Sequence, residues 1–328
     1  MKRILITGAS GFIGSTLSDV ALAKGWEVTA AIRPASDLAY LQDQRIRFLH
    51  LPFEDELALR RELEGAGRFD YVVHIAGTTK ALRREDYFRT NADYTRRLVD
   101  ILRTDAIRPE RFLFLSSLAA LGPGTDNDRL HPQRAPRPVT AYGASKLAAE
   151  QYLEGLPDFP WTVIQPTAVF GPRDKDILEF VRLVSKGFEL YIGNKPQQVS
   201  FIYVKDLVSM MLAALQTGQT GRKYIATDGR DYTIDALGEA TRTALRKRTL
   251  RIRVPMRLAY ILATLSETIG KWRGKMPPLN REKLNEIAKV SWWCDMEQTH
   301  DELRFTPQYD LFSGMQETVA WYRANRWI

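Results

Sequence analysis

Cysteine is almost missing from this chain: Cys294 is the single one among 328 residues. One thiol cannot close an intrachain disulfide, which suits a reducing compartment. Histidine is scarce as well. His50, His74, His131 and His300 stand far apart, without metal-ligand spacing, so no metal site is expected. No apolar run approaches the roughly 20 residues needed to cross a bilayer. The opening Lys2-Arg3 followed by Ile4-Leu5-Ile6 has the charge order of a signal peptide, but the apolar stretch is too short and is broken by Thr7, Gly8 and Ser10. A cytoplasmic location without stable membrane insertion is expected. Zinc-finger spacing and aromatic-studded RNA-binding motifs are missing too, so nucleic acid is not an expected partner.

What is present suits an ordinary soluble protein. A chain of 328 residues with 45% hydrophobic residues can build one large α/β domain and a smaller lobe. The net charge is +8, from scattered arginines and one denser group at Arg242, Arg246, Lys247, Arg248, Arg251 and Arg253. A solvated basic face is the plain reading; attraction to an anionic cofactor, substrate or membrane surface is the sharper one. The amphipathic piece Met256 to Trp272 reads first as a helix facing the core of the lobe, and second as a membrane contact.

The first fourteen residues organise the rest. Ile4 to Ile6 read as a strand buried on both faces. The run breaks at Gly8, and helical spacing starts near Phe12, with Ile13, Leu17, Val20 and Ala21 on one face. A strand, a glycine turn and a helix aim backbone N–H groups at a phosphate. Gly8 suits a positive φ, Gly11 a close approach of pyrophosphate, and Gly14 close packing of helix on strand. Further strands are predicted at Glu27 to Ile32, Ile46 to Leu51, Tyr71 to Gly77, Arg111 to Ser116 and Trp161 to Val169, with helices between them. This alternation predicts an α/β fold with a doubly wound parallel sheet of Rossmann type. From Asp231 onward the chain reads as mostly helical, and Trp272 to Pro278 as a loop. Gly122 to Thr140, rich in Pro, Gly and Asp, reads as a long surface loop that can cover a site.

The chemistry concentrates in Ser116-Ser117, at the end of the fifth strand, and in Tyr142-Gly143-Ala144-Ser145-Lys146, opening a helix. Tyr142 and Lys146 are four apart and share a helical face. A phenol with a pKa of about 10 is a poor base at neutral pH. A neighbouring ammonium favours the phenolate. Ser117 can then hold the same substrate oxygen in line.

At this point the chain resembles the extended short-chain dehydrogenases/reductases, also described as the NAD-dependent epimerase/dehydratase family, over nearly its whole length. The resemblance rests on the run from Thr7 to Gly14, on His74-Ile75-Ala76-Gly77, Asn91, Ser116-Ser117 and the Tyr142–Lys146 group. Gln165-Pro166, Val169-Phe170-Gly171-Pro172 and Phe201-Ile202-Tyr203-Val204-Lys205-Asp206 extend it. It implies Tyr142 as general acid/base, Lys146 on the nicotinamide ribose, and Ser117 orienting the substrate. It implies a cofactor held by Gly8, Ser10, Gly11, Phe12, Ile13 and Gly14 around the phosphates. Arg33 and Phe53 would flank the adenosine, with Ala76, Gly77, Thr78, Lys80, Ser116, Tyr142, Lys146, Pro166 and Val169 along the rest. It also implies a Rossmann domain over 1–166, rejoined by 199–228, with a mostly helical substrate lobe over 167–198 and 229–328. Asn91 would play a supporting hydrogen-bond role. A homodimer through the Asn91 and Tyr142 helices is a further implication.

Departures from the family pattern refine the expectation. Ile32 stands where an acidic residue usually meets the adenosine ribose, and Arg33 follows it. A guanidinium can pair with a 2′-phosphate, which tilts the cofactor to NADP over NAD. Pro52-Phe53 replaces the usual Asp-Leu. Ala168 and Val199-Ser200 stand where nucleotide-sugar enzymes carry polar contacts to a sugar diphosphate. The stretches Leu279–Lys283, Trp292–Asp295 and Leu303–Pro307 resemble the 3β-hydroxysteroid dehydrogenase-like and dihydroflavonol reductase-like branch. Trp292, Trp293, Tyr191 and Tyr203 are candidates for an apolar pocket, or for simple core packing. The first reading is an NAD(P)-dependent oxidoreductase that interconverts a secondary alcohol and a ketone of a small molecule other than a nucleotide sugar. The alternatives are a nucleotide-sugar epimerase or dehydratase with tightly held NAD, and a non-catalytic cofactor sensor.

Overall fold

A computed structural model describes residues 1–125, 129–193, 197–272, 284–285, 288 and 291–328. The strand β1 (Arg3–Thr7), the helix α1 (Phe12–Ala23) and the strand β2 (Glu27–Ile32) form the first strand–helix–strand unit, with its strands parallel. They are followed by β3 (Arg47–His50), α2 (Glu56–Ala66) and β4 (Tyr71–His74). The helices α3 (Arg84–Phe88) and α4 (Tyr94–Leu102) are joined by a single π-helical turn, Arg89–Asp93. Then come β5 (Arg111–Leu115), the short α5 (Leu118–Leu121), α6 (Ala141–Glu154) and β6 (Trp161–Pro166).

These strands, with β7 (Ala168–Phe170) set apart, pair in parallel. With β11 (Arg222–Ala226) they build a seven-stranded sheet of order β11-β6-β5-β4-β1-β2-β3. The order reverses between β1 and β4, and in an open parallel sheet ligands bind outside the carboxyl ends of the strands at such a reversal. Apolar side chains fill both faces. Ile4, Ile6, Val28 and Leu113 point to α1 and to a helix at Val204–Gln216, while Leu5, Val72 and Phe114 point to α2, α4 and α6. Both faces being covered explains why the strands read as continuous apolar runs.

The stretch predicted as one strand, Trp161 to Val169, is two. Pro166 has no N–H, and the N–H of Thr167 turns to the Ala226 carbonyl at 3.0 Å, which closes the main sheet. Ala168–Phe170 then pairs with a strand at Phe201–Tyr203. Beyond it lie α7 (Asp176–Ser185), β8 (Phe188–Ile192), β9 (Gln198–Val199), β10 (Phe201–Tyr203), α8 (Val204–Gln216), β12 (Tyr232–Thr233) and α9 (Ile234–Leu245). The region expected to be mostly helical also contains β13 (Leu250–Val254), parallel to β8, before α10 (Met256–Trp272). The alternation Leu250-Arg251-Ile252-Arg253-Val254 carries the strand period that a helical reading overlooks. Two further helices, Glu297–Leu303 and Leu311–Ala324, end the chain. A separate apolar cluster gathers Phe170, Val181, Tyr203, Leu237 and Tyr322. The loop expected at Trp272 to Pro278 and the stretch Leu279–Lys283 lie, from residue 273 on, outside the described residues.

Candidate active site

A cleft of about 790 Å³ opens at the carboxyl ends of β1, β2, β4, β5 and β6. Its floor is the β1–α1 turn. Gly8 takes φ +69°, and a Cβ there would lie 2.8 Å from the Ala76 nitrogen. A Cβ on Gly14 would lie 2.2 Å from the Gly8 carbonyl oxygen, so only glycine lets α1 approach β1 this closely. Gly11 is the N-cap of α1 and offers no side-chain cap, so the first-turn N–H groups receive no side-chain acceptor. Ser10, Gly11, Phe12 and Ile13 line the cleft with Gly8 and Gly14.

Arg33 and Ser36 stand at the end of β2 on the same wall. The Arg33 N–H donates to Ser36 Oγ at 2.9 Å, and the Ser36 N–H returns a bond of 2.9 Å to the Arg33 carbonyl, which fixes the turn and leaves the guanidinium exposed. Phe53 lies opposite, stacked on Tyr94 with ring centroids 5.5 Å apart. Ala76, Gly77 and Thr78 form the rim after β4, and Pro166 and Val169 the far end. Lys80 departs from expectation. Its Nζ donates to Asp176 Oδ1 at 2.6 Å, and it is Asp176 that reaches the cleft.

Ser117, Tyr142 and Lys146 all lie on the cleft wall. Thr140 caps α6 by accepting from the Gly143 N–H at 3.1 Å, which starts the helix at the tyrosine. Ser117 caps α5, its Oγ accepting from the Ala119 N–H at 3.2 Å. Lys146 is buried, and its Nζ donates to the Leu115 carbonyl at 2.9 Å above the Phe114 ring. Burial lowers its pKa to about 8 from an ordinary 10.5, against an opposing pull from Glu150. Ser116 reaches the cleft with part of its surface, yet its hydroxyl is donated to Glu150. That buried carboxylate also accepts from Gln165 Nε2 at 2.9 and 3.0 Å and from Lys223 Nζ at 3.2 Å. Glu150, a residue the sequence reading passed over, therefore holds Ser116 one turn below Lys146.

Asn91 sits in the π-helical turn and is fully buried. Its Oδ1 accepts from the Thr78 N–H at 2.8 Å, and its Nδ2 donates to the Thr78 carbonyl at 3.0 Å and to Ser145 Oγ at 2.9 Å. It thus ties the rim after β4 to α6. Behind it, His74 is held between Thr7 Oγ1 at 2.7 Å and Thr95 Oγ1 at 3.0 Å. Asp174, also absent from the sequence reading, lines the cleft with its carboxyl pushed up to about 7 by burial. The signal for it was faint, since a loop after Gly171-Pro172 gives no period to read.

None of the four aromatic residues offered for an apolar pocket is on this wall. Tyr203 is fully buried beside Phe170, and Tyr191 is buried with its hydroxyl donated to Glu189 at 2.7 Å. Trp293 Nε1 donates to the Tyr232 carbonyl at 2.9 Å, while Trp292 packs beside Leu118, Leu121 and Leu130. The surface loop after Gly122 is pinned rather than loose in its described parts. Gly124 bridges to Ser291, and Leu130 to Cys294. Among the described residues no group of three His, Cys, Asp or Glu is placed to hold a metal.

Comparison with known proteins adds an independent line. A model of the NAD dependent epimerase/dehydratase family matches residues 4–233. The chain is 24% identical over 326 residues to a ceramide reductase of Caulobacter vibrioides, covering 99% of this chain and 96% of that protein. It is 26% identical over 339 residues to sterol demethylase protein B of Methylococcus capsulatus, covering 99% of each. Among solved structures, a dTDP-glucose 4,6-dehydratase from Bacillus anthracis in complex with NAD superposes with a TM-score of 0.79 at 18% identity, covering 99% of this chain and 98% of that one.

Proposed function

The chain belongs to the NAD-dependent epimerase/dehydratase family, enzymes of the extended short-chain dehydrogenase/reductase type, and from that premise we propose that it interconverts a secondary alcohol and a ketone on an apolar small molecule. The observation that carries this reading is one cleft wall shared by Ser117, Tyr142, Lys146 and the Gly8–Gly14 turn. The N-terminus of α1, which has no side-chain cap because Gly11 stands at the N-cap, fits a dinucleotide pyrophosphate. Bound there, a nicotinamide supplies the carbon that accepts or donates the hydride. Tyr142 takes the hydroxyl proton as the alcohol becomes a ketone, and returns it in the reverse direction. Lys146 uses one of its three donors on Leu115, leaving two for ribose hydroxyls and for favouring the Tyr142 phenolate. Ser117 Oγ holds the substrate oxygen in line. The lobe formed by 167–198 and 229–328 would then carry the substrate, and 1–166 with 199–228 the cofactor.

Two features support a substrate other than a nucleotide sugar. Ala168 lines the cleft where an asparagine amide would reach a sugar diphosphate, and the similar proteins named above include a ceramide reductase and a sterol demethylase. The likeness to an NAD-bound nucleotide-sugar dehydratase favours the second reading, in which NAD stays in place. Arg33, exposed at the cleft rim with no carboxylate at position 32, supports NADP over NAD.

The first experiment is to wash the purified protein, denature it, and identify any released nucleotide. Stoichiometric NAD supports the nucleotide-sugar reading and defeats the Arg33 argument. An empty site that takes NADPH more tightly than NADH, with the preference lost in Arg33→Ala, supports net redox on an apolar ketone. Tyr142→Phe is expected to slow turnover by about 10² to 10⁴ while nucleotide affinity is kept. Unchanged turnover in that variant would remove Tyr142 from the chemistry.

A further inference from the structure

Away from the cleft, eight large exposed apolar side chains gather on β8, β13 and α10. In the parallel pair β8–β13, Phe188 lies opposite Leu250, and Leu190 opposite Ile252. Side chains alternate along a strand, so these four share one face. Glu189 and Tyr191 occupy the other face, buried against α9, where a Cβ on Gly238 would meet both. Phe188, Leu190, Leu250 and Ile252 are 43%, 45%, 61% and 39% exposed. After Pro255 the pattern continues on α10. Leu258, Ile261, Leu262 and Leu265 are 46%, 59%, 46% and 57% exposed, at the i, i+3, i+4, i+7 spacing of a single helical stripe. Ala259 and Ala263 face inward, with Ile192 and Val254. The helix therefore buries its small residues and shows its large aliphatic ones to solvent, the reverse of the core-facing helix expected from the sequence. A patch of this kind marks a surface that meets something apolar.

Charge says what. Residues 242–266 contain seven Arg or Lys and no Asp or Glu. Arg242 and Arg251 turn to Glu189, and Arg253 to Asp235, while Arg246, Lys247, Arg248 and Arg257 are exposed. A second copy of this face would bring like charges together. We propose that β8–β13 and the outer stripe of α10 dock the protein on an anionic phospholipid surface. The aliphatic side chains enter the headgroup boundary and the exposed cations meet lipid phosphates. This is docking on a surface, since no described helix is long and apolar enough to cross a membrane.

The inference stands apart from the substrate reading, because its test involves no turnover. The full chain is sedimented with vesicles of phosphatidylcholine alone, and with vesicles that also contain phosphatidylglycerol. Binding is expected to the anionic vesicles only, and to weaken as salt rises. The double variant Ile261→Asp, Leu265→Asp should lose more than about tenfold in partitioning. Removing Arg248 and Arg257 by substitution with Gln should weaken it about fivefold per charge. All four positions are exposed, so unchanged circular dichroism and melting temperature are expected and separate lost docking from misfolding. Failure to bind anionic vesicles, equal binding to neutral ones, or variants that bind like the parent would overturn the proposal. A dimer that Ile261→Asp, Leu265→Asp dissociates, in a protein that ignores lipid, would give the face to a second copy and overturn it too.

Discussion

Thr7 Oγ1 accepts from the N–H groups of Ile75 and Ala76, both at 3.1 Å, so its own proton is left for His74 Nδ1. His74 Nε2 then carries the ring proton and donates to Thr95 Oγ1, whose hydroxyl donates to the Asn91 carbonyl at 2.8 Å. One direction of protons thus runs from the glycine turn to the helix turn that holds Asn91, and it requires a neutral ring. Burial lowers the His74 pKa to about 3 from 6.5, and the Lys146 charge adds to this. Between those values the unfolded chain binds a proton that the folded chain does not. Stability therefore rises with pH across that window and is lost as pH falls. His74→Gln should flatten that dependence in urea titrations while costing about 1–3 kcal/mol at neutral pH, since neighbouring hydroxyls lose a partner. An unchanged slope would show that other groups set the acid limit. The sequence identified His74 as part of a family motif; its tautomer depended on Thr95, twenty-one residues away.

At the scale of elements, the short α5 and the longer α6 hold the residues proposed for the chemistry. Ser117 caps α5 and Tyr142 opens α6, and the two helices touch where Gly143 faces the Ala119 carbonyl. A Cβ on Gly143 would lie 2.2 Å from that oxygen, and the obstacle is backbone, which cannot swing aside as a side chain can. Gly143→Ala should separate the helices, lower the melting temperature and cost about 10² in turnover, the scale of a 1 Å misplacement. Crystal structures and steady-state rates of the variant would check this; full turnover would mean that Ser117 and Tyr142 are aligned by something else. The Tyr142–Lys146 spacing was legible in the sequence because a helix repeats locally. The α5–α6 contact was not, because Ala119 and Gly143 meet only across a loop.

At the scale of the whole molecule, the cleft lies between the sheet and the segment after β7. Arg173 spans the two: its Nη1 donates to Ser15 Oγ at 3.1 Å, its Nη2 pairs with Asp19 at 2.8 Å, and its guanidinium covers the Tyr40 ring. It does so at φ +74°, a conformation that disfavours side chains. A dinucleotide bound in the proposed place on the α1 turn would stabilise only the folded chain. NADPH at a hundred times its dissociation constant should add about 2.7 kcal/mol and raise the melting temperature by a few degrees. No shift with NADPH or NADH would mean that the cleft does not take a dinucleotide.

By itself the sequence determined the fold class and the glycine turn, and it marked Ser117, Tyr142 and Lys146 as candidates, because each depends on a repeat or spacing within a few residues of chain. Only the tertiary structure decided what lies across from them. Thr167 turns to Ala226 and breaks the expected strand, Ser116 turns to Glu150, Lys80 to Asp176, and Tyr191 and Tyr203 into buried clusters. The stripe Leu258, Ile261, Leu262 and Leu265 shows the reason most plainly. A period of 3.6 says that these side chains share a face; whether that face meets core or solvent depends on what packs against the helix, and here Ile192 and Val254 take the alanine side.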